Sequence, residues 1–196
     1  MANLKLNSHE VLTQSGDNRP EFGASVPAGC MLQLKSTTKT DLWGGTGVSN
    51  GNSGVTPYAV TGLSVTITPK FNTSKIWLFA DIFMGLNNFE GYNYYWSIYR
   101  SINGGTSSAI GVGTDNSAGA TLFVMGGHNM YPSGSSVPFA GGNSKNYLDS
   151  PSTTDSITYQ IYVGAGDSNA ILYVNRRGSG GNPCGVSTIT AMEIAA

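Results

Sequence analysis

Along most of the chain, apolar and polar residues alternate in short runs, interrupted about every 10–20 residues by glycine, asparagine and serine. A period of two bounded by such turn residues predicts half-buried strands. "CMLQLKS" (30–36) sets Met31, Gln33 and Lys35 against Leu32 and Leu34. "TGLSVTITP" (61–69) places Leu63, Val65 and Ile67 on one face and stops at Pro69. "KIWLFADIFMGL" (75–86) is apolar on both faces, which predicts a central strand covered on both sides. "YNYYWSIYRS" (92–101) leads into "INGGTSS", where Asn103-Gly104 marks a hairpin turn. Further strands are predicted at 109–113, 120–130, 156–164, 170–176 and 187–195, with a long polar loop at 44–54. No segment holds a 3.6-residue period over three turns. About eight core strands with long loops predict an all-β, jelly-roll-like β-sandwich over residues 30–196.

Residues 1–29 follow a different pattern. Leu4/Leu6 and Val11/Leu12 are brief apolar alternations separated by "NSHE" and by a tract containing Pro20 and Pro27. Pieces this short predict an extended N-terminal arm that needs another surface, on its own chain or a neighbour's.

Composition narrows the function. With 196 residues the chain has one-domain length, enough to bury about 70% of its unfolded surface without disulfides or metals. Charged residues are only 11%, but ten Tyr, seven Phe and three Trp set it apart from disordered chains. The net charge of −1 comes with no basic cluster beyond Arg176–Arg177, so no nucleic-acid partner is expected. The N-terminus carries no signal-peptide core, and no apolar run reaches the roughly 20 residues of a membrane helix, so no membrane partner is expected. Cys30 and Cys184 are the only cysteines; two idle thiols are the blander reading, and their pairing stays open.

Little in the sequence points to catalysis. "GVSNG" (47–51) fits the nucleophile-elbow pattern at Ser49, but no helix follows to build an oxyanion hole. His9 and His128 have no acidic or thiol partners at ligand spacing, so neither a metal nor another cofactor is expected. Asp81 sits between large apolar residues, where a lone carboxylate is expensive. Arg100, ending the next strand, is the expected structural ion-pair partner. A glycosidase-like pair of Asp81 with Glu90 or Asp149 is the catalytic alternative. In 92–100, Tyr92, Tyr94, Trp96 and Ile98 share one face, while Asn93, Tyr95, Ser97 and Tyr99 share the other. The first is a core face; the second mixes aromatic and polar groups as subunit interfaces do. Plain core with wet tyrosine tips and a ligand platform are the competing uses.

Two C-terminal stretches, "YLDSPSTTDSITYQIYV" (147–163) and "LYVNRRGSGGNPCGVSTITAMEIAA" (172–196), together with "MLQLKSTTKTDLW…VTGLSVTITPKFNTSKIWLFADI" (31–82), resemble structural proteins of tailed bacteriophages. The likeness covers about residues 30–196, and "LTQSGDNRPEFGASVPAG" looks like the leaders that precede such domains. The resemblance implies a homotrimeric virion protein with no catalytic residues to carry over, assembled in the host cytoplasm. The short arm in place of a fibre shaft favours a capsid decoration (cement) protein on the capsid surface that contacts the major capsid protein. Tyr95 and Tyr99 are then candidates for trimer contact, and Leu4, Leu6, Val11, Leu12 and Phe22 for docking on the capsid. The alternative is a tail-fibre or tail-tip module among other tail proteins, touching host glycan through loops 44–54, 131–146 and 178–185, with Tyr131 and Tyr147 near them.

Overall fold

A computed structural model describes residues 3–6, 9–14, 20–22, 26–44, 57–86, 93–113, 126–129, 139–165, 171–178 and 184–196. The strands are β1 (Asn3–Leu6), β2 (His9–Gln14), β3 (Pro20–Phe22), β4 (Met31–Lys39), β5 (Trp43–Gly44), β6 (Tyr58–Ile67) and β7 (Lys75–Leu86). They continue as β8 (Asn93–Ile102), β9 (Ser108–Ile110), β10 (Gly126–Asn129), β11 (Phe139–Asp149), β12 (Ile157–Ala165), β13 (Leu172–Val174) and β14 (Ser187–Ile194).

Two antiparallel sheets carry the main body. In the first, β14 lies between β4 and β7, and β11 pairs along the other edge of β7; β13 and β5 extend the β14 and β4 lanes beyond Met84 and Val174. In the second, β12 lies between β6 and β8, and β9 and β10 share the far edge of β8. Taken as lanes, successive strands alternate between the sheets from β4 through β14 except at the middle, where β8 and the β9/β10 lane are neighbours in the second sheet. The first lane pairs with the last in one sheet, and the second with the next-to-last in the other. This is jelly-roll topology, and the all-β sandwich expected from the sequence is the fold.

The core lies between the sheets. Leu63, Val65 and Ile67 meet Ile157, Tyr159 and Ile161 on one side, and Ile76, Leu78, Ile82, Ile189 and Ala191 face them from the other; all are buried. Asn103 and Gly104 both take positive φ (51° and 70°), and Gly105 N donates to Ile102 O at 2.9 Å, which is the type I′ turn the Asn-Gly pair predicts.

Two expectations need correction. β7 is central in its sheet, but only one face is covered: Trp77 and Phe79 remain 40% and 41% exposed. Of the polar run 131–146, taken as loop, residues 139–146 belong to strand β11, which pairs with β7 over eleven positions. Within residues 1–29 the described strands pair only among themselves. β1, β2 and β3 pair with one another as a small antiparallel sheet.

Candidate interaction surface

Register determines what the first sheet shows to the outside. Leu148, Trp77, Met192 and Leu34 stand in one cross-strand row through β11, β7, β14 and β4. Beside it run Asn146, Phe79, Thr190 and Ser36, then Ser144, Asp81, Thr188 and Thr38. The first row is apolar and open: Leu148 is 53% exposed and Leu34 49%. Trp77 and Phe79 lie on one face two residues apart, ring centroids 5.1 Å apart and tilted by 30°. Met31 and Ile194, cross-strand partners, extend the apolar area toward the rim. The polar rows tie themselves together: Ser36 Oγ and Thr190 Oγ1 are 2.8 Å apart, and Ser144 Oγ donates to Asp81 Oδ1 at 3.0 Å. Between β7, β11 and β14 a shallow groove of about 310 Å³ is lined by Phe79, Asp81, Asn146 and Thr190.

Behind this face, one inward row holds Gln33, Glu193, Ile76 and Asp149. Its two carboxylates are buried, at 0% and 4% exposure. Glu193 accepts Lys70 N (2.6 Å) and Ser74 Oγ (2.7 Å) on Oε1 and Gln33 Nε2 (2.6 Å) on Oε2, fastening the β6–β7 connection. Asp149 accepts Arg100 Nη1 at 2.8 and 3.0 Å, Ser150 N at 2.9 Å and Tyr159 Oη at 2.7 Å. Three strands from two sheets thus meet on one carboxylate. Burial first, and the Asp149 charge next, hold the Tyr159 phenol far above its usual range, so it stays a donor. The two carboxylates are two lanes apart, about 10 Å, with Ile76 between them, and each is engaged by structural donors. They form clasps that pin the sheets together.

The structure separates Asp81 from Arg100. Arg100 turns inward to Asp149, whereas Asp81 is on the exposed face, where water removes the need for a cation. Asp81 and Asp149 also lie on opposite faces of their sheet, so they make no catalytic pair; Glu90 lies outside the described residues. Tyr95 is only 8% exposed, its hydroxyl has no hydrogen-bond partner among the described residues, and burial raises its pKa. It is therefore a closed position rather than an open contact residue. Tyr99 is half-buried on the outer side of the second sheet, its ring 4.1 Å from that of Tyr162. Leu4, Leu12 and Phe22 share a register row of the N-terminal sheet, with Leu4 54% exposed. Leu6 ends β1 opposite His9, and Val11 lies in β2. His128 is opposite Tyr94 in β10. Tyr147 packs against the core. Cys30 is half-buried and Cys184 exposed, and no disulfide joins them. Ser49 and Tyr131 lie outside the described residues. The sequence reading missed the Trp77 row; the signal was the odd-numbered positions of 75–81, where Trp77 and Phe79 share a face with the charged Lys75 and Asp81.

No protein-family model matches the chain, and no curated protein does. Among solved structures, that of the infectious bursal disease virus Gx strain matches at 15% identity and a TM-score of 0.40, covering 100% of this chain and 47% of that one. The VP2 subviral particle of infectious bursal disease virus matches at 15% identity and a TM-score of 0.33, covering 89% of this chain and 41% of that one. The chain thus spans less than half the length of the structures it matches.

Proposed function

We propose that this chain is a non-enzymatic structural protein of a virion, a homotrimer that decorates the head, bridges neighbouring subunits of the major capsid protein and stabilises the shell. The observation that carries the reading is the open apolar row Leu148–Trp77–Met192–Leu34, carried across the paired strands β11, β7, β14 and β4. A contiguous apolar patch on a rigid face is a contact surface. The buried carboxylates beneath it are occupied in holding the fold, leaving a domain built to bind rather than transform. The likeness of residues 147–163 and 172–196 to phage structural proteins supplies the virion context, and those stretches contribute Leu148 and Met192. Decoration stabilises a shell because the protein binds assembled neighbours better than free ones, which adds binding energy to the assembled state alone. A closed trimer also multiplies weak contacts by engaging three sites at once.

The test is the location and copy number of the chain in purified particles, read by quantitative gel and by antibody labelling in electron micrographs. Hundreds of copies on the head are expected. A handful at the tail would reassign the chain to a tail fibre or tail tip contacting host glycan, and absence from particles would overturn the virion reading altogether.

A further inference from the structure

Two apolar surfaces of this chain leave each other uncovered. One is the Trp77 row. The other is the Leu4–Leu12 cross-strand pair of the β1–β3 sheet, a sheet whose strands are only four, six and three residues long. A sheet that small needs packing on one face to persist. Within a single chain neither covers the other: Leu4 is 54% exposed, while Met31, Leu34, Trp77, Phe79 and Leu148 are 40–53% exposed.

The tether decides where the small sheet can go. Residues 23–30 join β3 to β4, and their end is fixed to the last strand: Gly29 N donates to Ala195 O at 2.7 Å, and Ala195 N to Cys30 O at 2.9 Å. The arm therefore leaves the body beside Met31 and Ile194, at the rim of the apolar face, with a reach of about 25 Å. We propose that the β1–β3 sheet of one copy seats its Leu4–Leu12 pair on the Trp77 face of the next copy, so that the oligomer closes by exchange of arms. This deepens the homotrimer in the reading above and rests on it, and it gives the arm to a sister copy rather than to the shell. The open side chains of the face amount to on the order of 400 Å², from the 150–250 Å² that large aromatic side chains bury. Each copy gives one arm and receives one at two different junctions, so one junction buries about half the ~800 Å² per partner of a standard interface, and closing the ring makes the junctions act together. A head-to-tail contact of this kind forms a ring when its rotation closes.

The experiment uses full-length variants and sedimentation, with urea midpoints confirming that each variant folds. Leu4→Asp/Leu12→Asp disables the arm, and Trp77→Glu disables the face; Leu34→Asp, on an edge strand, is the substitute face variant if Trp77→Glu lowers the midpoint. The wild type is expected as a trimer and each variant as a monomer. An equimolar mixture of arm and face variants is expected as a 1:1 dimer, because the one intact arm meets the one intact face. Variants that remain trimeric, or a mixture that stays monomeric, would overturn arm exchange while leaving the homotrimer standing. A monomeric wild type would overturn both.

Discussion

Tyr159 and Arg100 are cross-strand neighbours on β12 and β8, and both reach across the sandwich to Asp149 at the end of β11. The phenol is held protonated in the folded chain, chiefly by burial and then by the carboxylate it serves. In the unfolded chain the same group ionises at about pH 10. Its contribution to stability is therefore complete below pH 10 and falls as pH rises past that value, by about 1.4 kcal/mol per unit. Tyr159→Phe removes a hydrogen bond to a charged group and should cost about 1.5–3 kcal/mol at neutral pH. Its alkaline limb should also be shallower by one proton. Urea unfolding followed between pH 7 and 12 measures both, and a parallel limb would contradict the assignment. None of this was legible in the sequence, where Asp81 looked like the natural partner of Arg100. Proximity along the chain gave no information about which face of the sheet each residue occupies.

At the scale of elements, β7 is the most informative strand. Its inward positions Ile76, Leu78, Ala80 and Ile82 are buried, while Trp77, Phe79 and Asp81 face out. A sequence apolar at nearly every position cannot distinguish a strand covered on both faces from one with an apolar outer face awaiting a partner. The distinction should be measurable. Ile82→Ala opens a cavity in the core and should cost about 2–5 kcal/mol. Phe79→Ala, three positions away on the open side, should cost the isolated subunit about 1 kcal/mol or less. Urea unfolding of both, in the Leu4→Asp/Leu12→Asp background, makes the comparison, and equal losses would mean the outer face is covered within the subunit. β11 taught the opposite lesson. "GGNSK" has poor strand propensity, yet it pairs throughout with β7, because a long central strand offers an edge to whatever backbone the topology brings alongside.

For the molecule as a whole, the jelly-roll order makes the last strand essential to the first. β14 sits between β4 and β7, so Thr190 pairs with Ser36 from the other end of the chain and with Phe79 from the middle. A chain ending at residue 186 should show no cooperative urea transition by circular dichroism, since the first sheet would be split and Glu193 removed from the β6–β7 connection; a sharp transition would mean the second sheet folds alone. Period-two alternation, the Asn103-Gly104 turn and the absence of helical periodicity were enough to determine an all-β sandwich, because strand pattern and turn chemistry are local properties written residue by residue. Strand order, the Asp149 and Glu193 clasps, the pairing within the N-terminal sheet and the open Trp77 row were decided only in three dimensions. Each depends on which distant segments become neighbours and on which side of a sheet a residue falls, and backbone pairing settles that across more than a hundred residues of intervening chain.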